Sequence, residues 1–521
     1  MLDTTLTRRT VTTVEEQIKR NRTTQVLLIL GMIGTSLVSA FLMLQTRIGI
    51  GGIYWSLFII AAGLVLFKPR IGLYMILFFG LVGDANLMPE FPFDKNMSSA
   101  ESFFYLHDAL IVNPLELFMG LMLLGWLGRK LMRRRFHLEM GELFWPVMAF
   151  TGFVLLGIFW GLSTGGDARI AVWESRSMFY LPVMMILVTN LVEKREHFSH
   201  MMWAIMAALL IESIVAVWVF YSEYGFSTSS LERLTEHGAS VHTNVIYIFI
   251  LLLFLYKGSS LTKRFFLPFW IPTTLIAYLA SQRRAAFLSL GIGLVLVFFL
   301  LYRENRRAFW LITPPAVFLG LIYLGVFWNV QNPLGLPAQA LKSVLVEDTS
   351  DYGSNLYRII ENYNIAFTIH QHPLTGVGFG QPFYIVWDLP DISFFEFWEY
   401  ITHNSIVYIW MKMGVGGFIA MFVMIASIIS KGVKTTIRMP GGDLSAIAGT
   451  MTIYVIMHFL FAYADISWDI QNMLFLGTAI GILNSIENVV ARPVELAPKR
   501  WPWQPEPAQP GQLLPMPSEA P

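Results

Sequence analysis

Residues 278–290 read YLASQRRAAFLSL and join two apolar runs through a pair of adjacent arginines, Arg283 and Arg284. The runs on either side, 265–280 and 285–301, approach the roughly 17–25 residues that an α-helix needs to cross a membrane. The pattern therefore predicts a junction between two membrane helices. Arginines at such a junction commonly mark its cytoplasmic side, so the orientation of the whole chain decides how this pair is interpreted.

Apolar runs of this kind recur along the 521 residues, of which 55% are hydrophobic and 14% charged, with a mean hydropathy of +0.57. A soluble chain of this length would carry far more charge. The absence of cysteine excludes disulfides and thiolate catalysis. We predict an all-α polytopic membrane protein of about 12–14 transmembrane helices, with spans at about 25–44, 50–67, 71–88, 109–128, 143–162, 178–192, 200–221, 241–256, 265–280, 285–301, 308–328, 404–430, 445–463 and 468–486.

Lysine and arginine set the predicted orientation, because cytoplasmic loops are enriched in both. With the N-terminus inside, the segments that face the cytoplasm carry 26 of the 36 basic residues. The other ten lie outside or at outer helix ends: Arg47, Lys95, Arg169, Arg176, Arg233, Arg283, Arg284, Lys342, Arg358 and Lys412. We therefore predict that both termini are cytoplasmic.

The predicted chain has five parts: a cytoplasmic segment 1–24, eleven spans in 25–328, a large external loop 329–403, three spans in 404–486 and a tail 487–521. Within the external loop, apolar residues at helical spacing predict an amphipathic helix over 355–371. The tail holds nine prolines from residue 492 onward. This composition predicts a disordered cytoplasmic segment that could bind a partner.

Outward-facing arginines run against the positive-inside bias, so Arg283 and Arg284 need an explanation. An arginine at the edge of the hydrocarbon is costly unless it is paired or hydrated. One explanation is that the two guanidinium groups snorkel to phospholipid phosphates. The other is an anion site, because planar guanidinium groups bind phosphate through two parallel hydrogen bonds.

Other outward-facing residues favour an anion site. Arg358 lies on the predicted loop helix, although an arginine near Glu361 could simply be solvated surface. His403 and Asn404 stand where the chain re-enters the membrane. Asn404 could cap the next helix, whereas an imidazole, which titrates near neutrality, could accept a proton from a hydroxyl. Arg176 again meets the outer end of a span.

Several other motifs are better explained by structure than by chemistry. The segment GVGFG follows no strand and predicts a turn rather than a nucleotide site. His370 and His372 lack a third ligand, so we predict no metal site. The arginines 133–135 are interpreted as a topology anchor, not a nucleic-acid patch. Glu116 and Glu212 lie within spans, but no matching acidic residues suggest an ion pathway.

Three motifs, in this order, resemble the O-antigen ligase and polysaccharide polymerase family of bacterial membrane glycosyltransferases. SQRRAAFLSL is similar to the family's Ser-Arg-Gly/Ala-Ala motif, with Arg284 at the arginine position and Arg283 in place of the usual serine. YRIIENYNIAFTIHQHPLTGVGFGQ is similar to its arginine, helix and HPLxGxGxG turn, which places Arg358. HNSIVYIWMKMGVGGF is similar to its His-Asn-Ser motif, which places His403 and Asn404.

The resemblance covers about residues 230–485. RLTEHGASVHTNV faintly resembles a further segment, which brings in Arg233 and Asn244. The proline-rich tail is not part of the family pattern. The fold implied is similar to the all-helical C-type glycosyltransferases, in the bacterial inner membrane and without a nucleotide site, metal or cofactor.

The activity implied is transfer of a glycan from an undecaprenyl-diphosphate carrier to an acceptor hydroxyl at the outer face of the membrane. In this interpretation Arg284 and Arg358, helped by Arg283 and Arg176, stabilise the charge that develops on the diphosphate. His403 activates or orients the acceptor hydroxyl, which attacks with inversion. The acceptor could belong to lipid A-core, to another repeat unit or to a protein. Asn404 and Arg233 complete the predicted substrate site.

Two other function classes remain open. A transporter or flippase of lipid-linked oligosaccharides would also have many spans and outward arginines, although such carriers usually show two similar halves and a central polar path. A scaffolding membrane protein would leave the outward arginines and histidine unexplained. Ligase and polymerase differ in their acceptor, and no residue distinguishes them.

Overall fold

A computed structural model describes residues 51–89, 91–100, 102–132, 137–227, 234–236, 238–258, 267–330, 335–346, 349–390 and 396–491. The predicted span 25–44, the N-terminal segment 1–24, most of the predicted tail and Arg233 lie outside these residues. The described residues form α-helices and short 3-10 helices joined by turns and loops.

The helices follow the predicted spans closely. Eight of those described are long and apolar enough to cross a membrane, and four shorter apolar helices accompany them. The predicted all-α polytopic membrane fold is confirmed. The helices are α1 (Gly51–Phe67), α2 (Pro69–Val82), α3 (Pro114–Met132), α4 (Phe144–Ser163), α5 (Ala168–Arg176), α6 (Tyr180–Leu191), α7 (Arg195–Ser222), α8 (Ala239–Leu255), α9 (Ile271–Ala280), α10 (Arg284–Glu304), α11 (Arg306–Phe327), α12 (Leu336–Leu345), α13 (Thr349–Gln371), α14 (Ser405–Arg438), α15 (Gly442–Ala464) and α16 (Ile470–Ala491).

Successive long helices alternate in direction, so their ends gather at two faces. At one face, Arg70 Nε at the start of α2 donates to the carbonyl of Leu191, which ends α6, at 3.0 Å. At the other, Gln471 in the first turn of α16 donates to the carbonyl of Gly83, just after α2, at 2.6 Å. The described parts of the long segment between α11 and α14 also pack at this second face, which we call the loop face.

The centre of the bundle is built on close contact between α16 and α6. Gly477 and Gly481 are four residues apart in α16 and both face α6. A Cβ on Gly477 would lie 2.4 Å from the Leu181 carbonyl oxygen, and one on Gly481 would lie 2.6 Å from Val188 Cβ. Small residues at this spacing let two membrane helices approach closely where no hydrophobic effect drives them together.

Several predicted boundaries differ from the helix ends by five residues or more, as where α14 continues to Arg438 rather than ending at 430. The predicted span 71–88 ends six residues early, at Val82. Asp84 explains the stop, because its Oδ1 accepts from the backbone N–H groups of Asn86 and Leu87 at 2.9 and 3.0 Å and so forms a turn. The predicted loop helix 355–371 begins earlier, since α13 starts at Thr349.

Candidate active site

His403 lies just before α14, and its side chain pairs with Glu361 of α13. The imidazole Nδ1 is 3.1 Å from Glu361 Oε1, and the His403 backbone N–H donates to Oε2 at 3.0 Å. The Glu361 side chain is 1% exposed, whereas that of His403 is 26% exposed. With the Nδ1 proton assigned to this hydrogen bond, the exposed Nε2 is free to accept a proton.

Sequence reasoning missed the role of Glu361, which it offered only as a surface neighbour of Arg358. The structure instead buries this carboxylate behind His403. Tyr357, one turn earlier in α13, places its ring edge-on to the imidazole at 5.5 Å. The sequence did contain one sign of this arrangement: Tyr357 and Glu361 are four residues apart on a predicted helix, so they share a face.

Asn404 caps α14, which is the structural alternative that the sequence left open. Its Oδ1 accepts from the backbone N–H of Val407 at 3.1 Å. The next residue, Ser405, donates through Oγ to the Asp465 carbonyl at 2.9 Å, and Trp468 Nε1 donates to the Ser405 carbonyl at 2.7 Å. The start of α14 is therefore fixed against the turn between α15 and α16, and this fixes the backbone of His403.

Arg358 lies one turn before Glu361 in α13 and is half-buried. Its Nε is buried, and no described residue accepts a hydrogen bond from it. A buried donor without an acceptor costs about 1–3 kcal/mol. Arg358 therefore presents unused hydrogen-bonding capacity and positive charge within a turn of the His403–Glu361 pair.

Arg283 and Arg284 occupy the turn between α9 and α10. Gln282 has φ +53, a conformation uncommon for a side chain other than glycine, and it redirects the chain so that Arg284 begins α10. Arg283 is 8% exposed and donates to the Thr235 carbonyl at 2.8 Å. Asn244 of α8 holds the first turn of α10 through a 3.1 Å bond to the Ala286 carbonyl. Asn244, which the fainter sequence likeness brought in, thus supports the arginine turn.

Arg176 ends α5 and is paired within the protein. Its guanidinium group forms an ion pair with Glu116 of α3 at 2.7 Å and donates to Asn96 Oδ1 at 3.1 Å. The pair explains why Glu116 occurs near the end of a membrane helix, since each charge offsets the other.

A cavity of about 920 Å³ opens between the elements of the loop face. Both Arg176 and Arg283 line it, and so do Thr402 and Ser405, which flank His403 and Asn404. The structure thus brings two of the predicted site residues to one cavity and sets the His403 segment at its wall. Arg284 and Arg358 do not belong to its described lining.

The cavity wall is rich in carboxyl groups. Burial, helped by the neighbouring Glu236 and Asp84, raises the pKa of Asp94 well above its usual range. Burial, followed by the nearby Asp84 and Asp469, raises the pKa of Glu236 to about 7. Arg283 acts in the opposite direction on Glu236 and Asp84. Arg283 therefore faces carboxylates across this wall.

The HPLTGVGFG segment docks between α4 and a kink in α14. Val377 and Gly378 donate their backbone N–H groups to the carbonyls of Met411 and Lys412 at 2.8 and 3.1 Å. Gly414 breaks the helical conformation of α14 with φ 67. A Cβ on Gly378 would lie 2.3 Å from Gly161 Cα, so only glycine fits. This docking fixes the end of the segment that begins with α13.

A buried ion pair anchors the same segment. Glu174 of α5 and Lys412 of α14 meet at 2.7 Å with both side chains fully buried. Glu174 also accepts from the Gly380 N–H at 2.6 Å, and Lys412 donates to the Gln381 carbonyl at 2.6 Å. Sequence reasoning counted Lys412 only as an outer basic residue. Its partner is more than two hundred residues away, so no local pattern could reveal the pair.

Residues 269–422 match the family model described as O-antigen ligase. The match begins just before α9 and ends within α14, so it spans Arg284, Arg358 and His403. This part of the chain belongs to the O-antigen ligase family. No curated protein matches the chain. An O-antigen ligase domain gives the protein a ligase or polymerase type of activity in polysaccharide biosynthesis, as a membrane glycosyltransferase.

Proposed function

We propose that this protein transfers a glycan from an undecaprenyl-diphosphate carrier to an acceptor hydroxyl at the outer face of the bacterial inner membrane. The observation that carries the proposal is the His403–Glu361 pair, 3.1 Å apart, with a buried carboxylate and an accessible imidazole. A carboxylate on Nδ1 fixes the tautomer in which Nε2 accepts a proton. The acceptor hydroxyl is the group that would give up this proton.

Arg284 and Arg358 bind the diphosphate in this proposal. The buried Nε of Arg358, without an acceptor among the described residues, supports an anionic ligand there. Arg284 stands at the first position of α10, where the helix dipole also favours an anion. Preorganised cations stabilise the charge that grows on the leaving group more than they stabilise the bound donor, and this difference accelerates the reaction.

The reaction is a single displacement at the anomeric carbon of the donor. The acceptor oxygen forms a bond to C1 from one side while the bond from C1 to the diphosphate oxygen breaks on the other, which inverts the configuration. The acceptor proton moves to His403 Nε2, and the electron pair of the broken bond leaves with undecaprenyl diphosphate. Undecaprenyl diphosphate stays in the membrane.

Arg176 and Asn404 act in this proposal by positioning rather than by touching the reacting atoms. Arg176 ties α5 to α3 through Glu116, and Asn404 fixes the start of α14 beside His403. Arg283 lies on the cavity wall opposite carboxyl groups. Arg233 stays a predicted substrate contact outside the described residues.

The test is restoration of surface polysaccharide in cells from which the gene has been deleted. His403→Ala, Arg284→Ala and Arg358→Ala should insert normally and fail to restore transfer. His370→Ala and Arg169→Ala, exposed residues of the same face, are matched controls that should restore it. Full restoration by all three site variants would overturn the proposal. The donor that accumulates in the deleted cells separates the subclasses: long lipid-linked chains indicate a ligase, and single repeat units indicate a polymerase.

A further inference from the structure

The cavity of the loop face is too polar for the polyprenyl chain of the donor. Its volume of about 920 Å³ is near the upper end of the roughly 300–1,000 Å³ typical of small-molecule sites. Amide and carboxyl groups recur along its wall, among them Asn86, Asn96, Glu236 and Gln471. A hydrocarbon chain would displace water from these groups and offer them no hydrogen bond in exchange, which is costly. The lining instead suits a ligand with many hydroxyl groups.

An aromatic ring on the wall supports the same kind of ligand. Trp173 stacks on Phe397 at 3.8 Å with the rings nearly parallel, 7° apart. Its side chain is nevertheless part of the cavity lining, and the residue is 36% exposed. One ring is therefore held rigid by its neighbour while part of it stays accessible. An amphipathic ring of this kind packs against the apolar face of a sugar.

Asp94 supplies a second specific feature of the wall. Its Oδ2 is buried, and no described residue donates a hydrogen bond to it. The carboxylate lies so close to Gly83 that a Cβ there would come within 2.3 Å of Oδ1. A buried acceptor without a donor calls for an explanation. A ligand hydroxyl reaching this oxygen would satisfy it.

The charges of the lining argue against a phosphate in the cavity. Among the described lining residues, four carboxyl groups face two guanidinium groups: Asp94, Glu174, Glu236 and Asp469 against Arg176 and Arg283. Glu174 is offset by Lys412, and Arg176 is offset by Glu116. Beyond burial, like charges raise the pKa of two of these groups, since Glu236 and Asp84 act on Asp94, and Asp84 and Asp469 act on Glu236. A diphosphate in the cavity would add to this repulsion. The diphosphate therefore belongs with Arg284 and Arg358, outside this lining.

We propose that the cavity holds the sugar residues of the donor nearest the diphosphate, and that its acidic wall selects neutral or amino sugars over uronic acids. The proposal rests on the proposed function, because the diphosphate site at Arg284 fixes which part of the donor reaches the cavity. Arg283 of the cavity wall and Arg284 are adjacent in sequence. A sugar linked to a diphosphate at Arg284 therefore enters beside Arg283.

The test uses the full-length protein in lipid nanodiscs and three probes: undecaprenyl diphosphate alone, the same lipid carrying an N-acetylhexosamine, and the same lipid carrying a hexuronic acid. Binding is measured by thermophoresis at about pH 8, above the value near 7 to which burial raises the pKa of Glu236. The hexosamine lipid should bind at least about tenfold more tightly than the uronic acid lipid, a difference of about 1.4 kcal/mol. The double variant Asp94→Asn with Glu236→Gln should remove most of that difference.

Two further variants allow the proposal to be tested even if the double variant misfolds. Asn86→Asp adds a carboxylate at an exposed lining position and should widen the discrimination. Glu223→Gln removes an exposed charge of the same face that does not line the cavity, and it should leave discrimination unchanged. Equal binding of the two sugar lipids by the wild type, or discrimination that Asn86→Asp does not widen, would overturn the inference.

The outcomes also separate this inference from the proposed function. Arg284→Ala with Arg358→Ala should lose all three lipids, including the one without a sugar. If that variant binds undecaprenyl diphosphate as well as the wild type does, the proposed diphosphate site is wrong, and the donor-sugar assignment falls with it. If the arginine variant loses binding while the wild type treats both sugar lipids alike, only the cavity assignment is wrong. If only free disaccharides, and not the lipid-linked sugars, showed a preference for the hexosamine over the uronic acid, the cavity would belong to the acceptor. That result would also refute the donor-sugar assignment.

Discussion

Replacement of Glu361 by glutamine should abolish most of the activity without removing the histidine. The Glu361 carboxylate accepts from the His403 backbone N–H at 3.0 Å and from Nδ1 at 3.1 Å. A glutamine has one oxygen and one NH2 group. Because the backbone N–H can only donate, the oxygen must face it, and the NH2 group then points at Nδ1. This arrangement favours the tautomer that carries its proton on Nε2, which can no longer act as a base.

The expected loss follows from the contribution of a positioned general base. Such a base accelerates reactions by about 10²–10⁴-fold, or about 2.7–5.4 kcal/mol of activation free energy. We expect Glu361→Gln to lower kcat by this factor and to leave the donor KM within about threefold, because the proposed diphosphate ligands are unchanged. The assay is transfer by purified protein in proteoliposomes, with Glu396→Gln as the matched control, since Glu396 is exposed on the same face.

A double-mutant comparison separates positioning from a general structural effect. If Glu361 acts through His403, then His403→Ala and His403→Ala with Glu361→Gln should have the same residual rate within about twofold. Equal thermal stability of the variants would show that the fold is intact. Losses that multiply in the double variant, or a Glu361→Gln variant with wild-type kcat, would refute the reasoning.

Three other predictions concern the fold, the cavity and the orientation. Lys412→Met should destabilise the protein by about 3–5 kcal/mol, because it leaves Glu174 buried without its cation. In thermal unfolding, the double variant Lys412→Met with Glu174→Gln should recover most of this loss. Equal stability of the single and the double variant would contradict the prediction. Burial raises the pKa of Glu236 to about 7, so this carboxyl binds a proton more tightly in the folded state than in the unfolded state. The stability that this bound proton contributes is lost as the pH rises through that value. The thermal stability of the wild type relative to Glu236→Gln should therefore fall between about pH 5 and about pH 8. The charged groups that face Glu236 are Asp84, Asp94, Asp469, Glu212 and Arg283. A difference in stability that does not change with pH would contradict the prediction. The chain has no cysteine, so Asp388→Cys on the loop face should react with an impermeant maleimide in intact spheroplasts, and Glu304→Cys only after lysis; the reverse pattern would invert the proposed topology.

The fold class could be predicted because membrane spans are a local property. Helices such as α10 and α16 are continuous apolar runs, and the arginine turn between α9 and α10 stands out in the sequence by its charge alone. The end of α2 was predicted wrongly because a turn stops the helix although the sequence that follows is still apolar. Leu87 and Met88 are apolar, yet Asp84 had already ended the helix by accepting two backbone hydrogen bonds.

The arrangement of the site was only partly predictable. His403 and Arg284 were predicted from their positions at membrane boundaries, and Arg358 from its position on the loop helix; their roles stay predictions. Glu361 was not, because its burial depends on a partner 42 residues away. The same is true of the Glu174–Lys412 pair and of Asp94, whose surroundings are set by segments distant in sequence. Burial and pairing are properties of the packed bundle, and no local pattern encodes them.

The most direct test of the central claim is the linkage formed in a single turnover. Purified protein is given a lipid-linked glycan of known anomeric configuration and an acceptor, and the product is examined by nuclear magnetic resonance. The account predicts one transferred glycan per donor with the configuration at C1 inverted, and a rate of product formation by His403→Ala that is lower by about 10²–10⁴-fold, even though this variant still binds the donor. Retained configuration, or product formed by His403→Ala at the wild-type rate, would contradict the direct displacement assigned to this site.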